Sequence, residues 1–137
     1  MEQQRQAGAI ILIVEDNAPT LRLVKELLSA AFPACQILGA ESAERALELC
    51  ASHAPHAVVM DIVLPGMDGI EATRRIRSLL PDTRVIIHSN LDMAIYREAS
   101  ATAGAGAFVA KSRTFSDLVG AIAGLLPTDV QRSGDGR

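Results

Sequence analysis

The sequence lacks nearly every feature that would send it to a membrane, a secretory route or a nucleic acid. No apolar run approaches the ~18 residues that a membrane helix requires, so no membrane association is expected. The first nine residues, MEQQRQAGA, contain no apolar stretch of the kind found in a signal peptide. Cysteine occurs only twice, at Cys35 and Cys50, which argues against a disulfide framework and for free thiols in a reducing, cytoplasmic compartment. The formal net charge of −3 over 137 residues predicts no general attraction to nucleic acid, so any control of DNA would need a further domain. What remains is a globular composition, 49% apolar and 21% charged, in a chain of single-domain length.

The stretch at residues 57–69, AVVMDIVLPGMDG, organises the rest. A short apolar run reads as a buried strand that ends in one carboxylate, Asp61, and Leu64, Pro65 and Gly66 then break the pattern until a helix restarts near Gly69. In chain order, IILIV at 10–14 is a first strand closed by Glu15, Asp16 and Asn17. Helical spacing of Leu21, Val24, Leu27, Leu28 and Ala31 predicts a helix over about 18–31, with Pro19 in its first turn. A second strand follows at 35–40, then a helix capped by Ser42 with Ala43, Ala46, Leu47 and Cys50 inward, ended by Pro55. After the Asp61 strand, residues 69–80 read as a helix with Ile70, Thr73, Ile76 and Leu80 inward and Arg74, Arg75 and Arg77 in water. RVIIHS at 84–89 is a fourth strand, 91–103 a helix poor in large apolar residues, and AFVA at 107–110 a fifth strand closed by Lys111. Phe115, Leu118, Val119, Ile122 and Leu126 line the inner face of the last helix. Residues 1–9 read as an N-terminal extension, 10–126 as the domain, and 127–137 as a flexible tail or the start of a linker.

Alternating strands and helices with right-handed crossovers imply an α/β doubly wound fold: a five-stranded parallel sheet of flavodoxin-like order 2-1-3-4-5, with helices on both faces. A parallel sheet puts all its carboxyl ends on one edge, so Glu15, Asp16, Asp61, Ser89 and Lys111 should converge there. Carboxylates packed this closely call for a cation, and Mg²⁺ prefers hard oxygen ligands. Lys111 and Ser89 suit phosphate oxygens, and an ionised Asp61 can act as nucleophile in phosphoryl transfer.

Together the Glu15-Asp16 pair, MDIVLPGMDG around Asp61, Ser89 closing the fourth strand and FVAKS around Lys111 make residues 10–126 resemble the receiver domain of bacterial two-component response regulators. LPGMDGIEATRRIR further resembles receivers of the LuxR/NarL type, which are joined to helix-turn-helix output domains. The resemblance implies that Asp61 is the phosphoacceptor for a histidine kinase or phosphotransfer protein. It implies Mg²⁺ held by Asp16 directly, by Glu15 through water, by Asp61 and by the backbone carbonyl of Val63, with Val63 and Asn90 presenting backbone beside the phosphoryl group. Ser89 and Phe108 match the hydroxyl and aromatic switch residues. Their movement would bias the surface of the fourth helix, fifth strand and fifth helix toward an output domain, a partner or a phosphorylation-dependent homodimer. Such a module is a phosphoacceptor signalling domain rather than an enzyme on other substrates.

Four positions depart from the common receiver pattern. Asn90 stands where a small residue is usual, and Ser112 follows Lys111 in place of a frequent proline, so a cis peptide is not expected there. Val63 and Leu91 are apolar where many receivers orient an attacking water, which predicts a long-lived phosphoryl-aspartate. The rivals are weaker. A haloacid dehalogenase-type phosphatase or phosphotransferase needs a second Asp where Val63 stands; a flavin module needs a phosphate-cradling loop after the first strand; a pseudo-receiver would bind partners without phosphorylation. His53 and His56 lack the neighbours of a metal site, His88 and Ser89 point to opposite faces of a strand and form no catalytic pair, and Cys50 reads as a core residue.

Overall fold

A computed structural model describes residues 9–127, in which five strands alternate with five α-helices. The expected extension at 1–9 and tail at 127–137 lie outside the described residues but for Ala9 and Pro127. The strands are Ile10–Val14 (β1), Gln36–Ala40 (β2), Ala57–Met60 (β3), Arg84–Ser89 (β4) and Ala107–Ala110 (β5), all parallel in the order β2-β1-β3-β4-β5. The helices are Ala18–Ala31 (α1), Ala43–His53 (α2), Gly69–Leu79 (α3), Ala94–Ala103 (α4) and Val119–Leu125 (α5). This is the doubly wound, flavodoxin-like arrangement that the alternation implies.

Period-two alternation divides the strands between two cores. Leu12, Val14, Val58, Met60, Val85 and Ile87 face one side, where they meet Ala43, Ala46, Leu49 and Cys50 of α2 and Ala72 and Ile76 of α3. Ile11, Ile13, Ala57, Val59, Ile86 and Val109 face the other, against Val24 and Leu28 of α1 and Leu118, Ile122 and Leu126 at the last helix. Each fully buried Leu or Ile contributes about 1.5–3 kcal/mol, so both faces are required to hold the sheet. The same alternation sends His88 to the α1 and α5 side and the next residue, Ser89, toward the opposite face.

Helix starts follow local chemistry. Asn17, Ser42 and Asp68 accept from the backbone N–H groups of Thr20, Arg45, and Ile70 and Glu71 respectively, each cap stabilising by ~1 kcal/mol. Two glycines hold the loop after β3 in place. Gly66 has φ +74°, a left-handed conformation that side chains rarely adopt. A Cβ on Gly69 would lie 1.8 Å from the carbonyl oxygen of Asp61, so only glycine lets α3 begin against that carbonyl.

Several expectations from the sequence are corrected. Phe115 is 69% exposed rather than inward. The chain leaves β5 through a 3₁₀ turn, Lys111–Arg113, and a π turn, Thr114–Leu118, before α5 begins; the wider turn shifts the helical phase, and the buried positions become Thr114, Leu118, Ile122 and Leu126. Helix α4 starts at Ala94, not at 91: Met93 is still extended, with ψ 155°, and the N–H of Leu91 bonds to the Ser89 hydroxyl in the loop before it. Cys35 lies outside β2, its N–H given to Phe32 O in the turn after α1. Arg77 is half-buried and donates to the carbonyls of Pro81 and Thr83, Leu80 caps α3 from outside it, Ala31 is exposed, and Leu49 joins Leu47 on the inner face of α2 as the more buried of the two. Gly69→Ala is expected to destabilise the fold by roughly 2 kcal/mol or more in urea unfolding, since neither the carbonyl nor the helix can yield freely. An unchanged midpoint would contradict the close approach.

Candidate functional site

The carboxyl ends of β1, β3, β4 and β5 surround one hollow of about 390 Å³, lined by Glu15, Asp16, Asn17, Asp61, Val63, Ser89, Asn90, Leu91 and Lys111. Each arrives for a reason in the chain. Pairing in register brings Val14 beside Met60, and the ladder runs one step further as Asp61 N donates to Val14 O at 3.1 Å. Asp61 and Glu15 therefore leave adjacent strands together. Ser89 is opposite Ala110, the residue before Lys111.

At the centre Lys111 Nζ lies 2.8 Å from Glu15 Oε1 and 2.9 Å from Asp61 Oδ2. Both carboxylates are almost sealed from solvent, whereas Asp16 is exposed. Glu15 Oε2 accepts from Asn17 N at 3.1 Å, and Asp61 Oδ1 has only a long 3.4 Å contact from Val63 N. Burial holds the Glu15 carboxyl above the usual carboxylate range, although the hydrogen bonds from Lys111 and Asn17 pull the other way. For Lys111, burial acts to lower the pKa, but hydrogen bonds to Glu15 and Asp61 and the charges of both acids outweigh it, and the ammonium is held above its ordinary value. Ser89 Oγ accepts from Leu91 N at 3.2 Å, so its own proton is available to an incoming acceptor.

Ligand oxygens of Glu15, Asp16 and Asp61 lie within 4.8 Å of one another. Three carboxylates facing one ammonium leave excess negative charge, and an all-oxygen donor set with one exposed member fits a hard divalent cation such as Mg²⁺. The structure thus brings seven sequence-derived site residues around one hollow: Glu15, Asp16, Asp61, Val63, Ser89, Asn90 and Lys111. Phe108 does not line it. Its ring is half-buried on the α2 and α3 side, with the Arg97 guanidinium 4.4 Å from the ring centroid.

Two contributors were not legible as such. Asn17 both caps α1 and donates its N–H to Glu15; the unbroken polar run Glu15-Asp16-Asn17 was the available signal. Glu44, from α2, accepts from Met67 N at 3.1 Å and restrains the loop after Asp61. No sequence pattern marks that contact, which joins residues 23 positions apart.

Comparison with known proteins agrees with this arrangement. A family model described as the response regulator receiver domain matches residues 11–123. The chain is 32% identical over 128 residues to response regulator MprA of Mycolicibacterium vanbaalenii, covering 92% of this chain and 54% of that protein. The chain spans about half the length of the curated relatives it matches first. Among solved structures, a LuxR-family two-component response regulator from Aurantimonas sp. SI85-9A1 superposes with a TM-score of 0.79 at 30% identity, covering 93% of this chain and 96% of that one. The BeF3-activated receiver domain of DrrB, from Thermotoga maritima, gives 0.77 at 26% identity, covering 85% and 96%.

Behind the hollow, burial pushes His88 down to about 4, helped by the charge of Lys111 and opposed by that of Asp61. The folded imidazole is neutral while the unfolded one takes up a proton below its ordinary 6.5. Stability from this group is therefore complete above pH 6.5 and is lost as pH falls toward 4, by roughly 3 kcal/mol in total. Glu15, with its raised pKa, acts in the opposite sense as pH rises above its ordinary 4.5. Denaturant titrations of wild type and His88→Gln should diverge progressively between pH 6.5 and 4; parallel profiles would show that His88 does not titrate as described.

Proposed function

Because the chain belongs to the response regulator receiver family, we propose that Asp61 accepts a phosphoryl group from a histidine kinase or phosphotransfer protein and that the surface of α4, β5 and α5 passes the change to an output domain or partner. The observation that carries this reading is the Lys111 ammonium 2.9 Å from one oxygen of a buried Asp61, inside a cluster of three carboxylates. Asp61 Oδ1, the less restrained oxygen, attacks phosphorus; the new P–O bond forms as the P–N bond of phosphohistidine breaks, and the imidazole leaves with the electron pair. Lys111 neutralises charge on the transferring group, and Ser89 donates its hydroxyl proton to a phosphoryl oxygen. Asp16, Glu15, Asp61 and the Val63 carbonyl would hold Mg²⁺, which when bound supplies compensating positive charge for the phosphoryl oxygens.

Residues 10–126 would act as the receiver module. Ser89 and Phe108 would be its switch, with ring movement releasing the contact to Arg97. DNA-binding output is consistent with the LuxR-family likeness but would reside in a further domain. No helix among the described residues is long and apolar enough to cross a membrane, and the reading places the module in the cytoplasm with its kinase.

With acetyl phosphate and Mg²⁺, mass spectrometry should find one phosphoryl group on wild type and none on Asp61→Asn, while Asp16→Asn should slow uptake at least tenfold. Failure of wild type to accept either acetyl phosphate or beryllofluoride would favour a partner-binding module without phosphorylation. Val63 and Leu91 offer no polar side chain to orient water in the hollow, so the phosphoryl-aspartate should persist far beyond seconds. A half-life of seconds would refute that part.

A further inference from the structure

We propose that His88 and Thr114 are positioning residues for Lys111, forming a hydrogen-bonded strut behind the sheet that fixes the backbone from which the ammonium reaches Asp61. This inference rests on the phosphoacceptor reading above.

Lys111 begins a 3₁₀ turn that passes directly into a π turn. The 3₁₀ turn has poorer hydrogen-bond geometry than an α-helix, and the change to a π turn interrupts the regular ladder, so backbone bonding alone leaves this corner less restrained than a continuous helix. Thr114 supplies the missing restraint. Its backbone N–H and its hydroxyl both donate to the carbonyl oxygen of Lys111, the hydroxyl at 2.8 Å. The same hydroxyl oxygen lies 2.7 Å from His88 Nε2. A threonine hydroxyl has one proton, and the carbonyl can only accept it, so His88 must be the donor through Nε2–H. The hydrogen-bond pattern therefore assigns the imidazole tautomer.

Both side chains are buried, His88 at 3% exposure and Thr114 at 7%. They lie on the α1 and α5 side, away from the hollow, while the residue after His88 is Ser89 and the carbonyl they restrain is that of Lys111. The strut thus ties together the two strand ends that present the hydroxyl and the ammonium. Neither residue touches the reacting atoms. A buried polar pair here, where Ile86 and Val109 show that apolar packing is available, is explained by what it holds.

The test compares phosphorylation rates from acetyl phosphate at saturating Mg²⁺ in Thr114→Val, Thr114→Ser, His88→Leu and His88→Gln. Thr114→Val and His88→Leu should be slowed about tenfold, because a small displacement of an oriented group is costly. Thr114→Ser keeps the hydroxyl and His88→Gln an N–H donor, so both should stay within about twofold of wild type. Mg²⁺ affinity measured by calorimetry should not fall in any folded variant, since the carboxylates stay on β1 and β3 and a displaced Lys111 leaves them less compensated. A general loss of structure would not produce that split. ¹⁵N resonances of His88 in wild type should report the Nε2–H tautomer.

Cooperatively folded Thr114→Val phosphorylating at the wild-type rate would overturn the proposal, as would a serine variant as slow as the valine one, or an Nδ1–H tautomer. Should His88→Leu fail to fold, the threonine pair decides alone. Absence of phosphoryl uptake by wild type would instead sink the phosphoacceptor reading, and this inference with it.

Discussion

The ammonium of Lys111, shared between two buried carboxylates, is the interaction on which the rest of the structure depends. Glu15 and Asp61 have almost no access to water, and an ionised carboxylate in that position is strongly unfavourable without a partner. Lys111 provides one charge for both, leaving a negative excess to which the exposed Asp16 adds. The fold thus maintains a site that is incomplete electrostatically and complete geometrically. That condition suits a site that takes up a cation and then an anionic group.

Holding those groups together needs restraint from several directions, each from a different part of the chain. Adjacent strands β1 and β3 launch Glu15 and Asp61 side by side, and the Asn17 N–H steadies Glu15. Glu44 reaches from α2 to fix the loop beyond Asp61, where Gly66 takes a left-handed conformation and Gly69 allows α3 to start against the Asp61 carbonyl. On the far side of the sheet, His88 and Thr114 brace the corner that carries Lys111. Consecutive residues of β4 consequently have separate tasks, His88 behind the sheet and Ser89 at the hollow.

The rim of the hollow differs in character from its floor. Val63 and Leu91 bring apolar side chains to an edge whose base is charged, which limits the ways a water could be aligned there. Further along β5, Phe108 sits half-buried beneath Arg97, whose Nε also donates to the Asp92 carbonyl. A ring covered by a cation anchored at the start of α4 links the aromatic position to that helix, a physical route by which movement of one would be felt by the other.

Strand positions but for Cys35 ahead of β2, the α1 limits at residues 18 and 31 and the shared edge were legible in the sequence, because apolar period and helix-capping residues are local properties. The motifs at Glu15-Asp16, Asp61, Ser89 and Lys111 likewise named the groups at the hollow, since a parallel sheet leaves strand ends no other place to go. Phe115 and the start of α4 escape a reading that assumes regular helix throughout: a π turn alters the phase before α5, and an extended Met93 sets the boundary of α4. Glu44 with Met67, and His88 with Thr114, join residues 23 and 26 positions apart. Sequence by itself determined which elements form and which chemical groups end them, through propensity and alternation. Only tertiary structure decided how those groups are paired and braced, because hydrogen-bond partners across a sheet depend on register and packing that no local pattern contains.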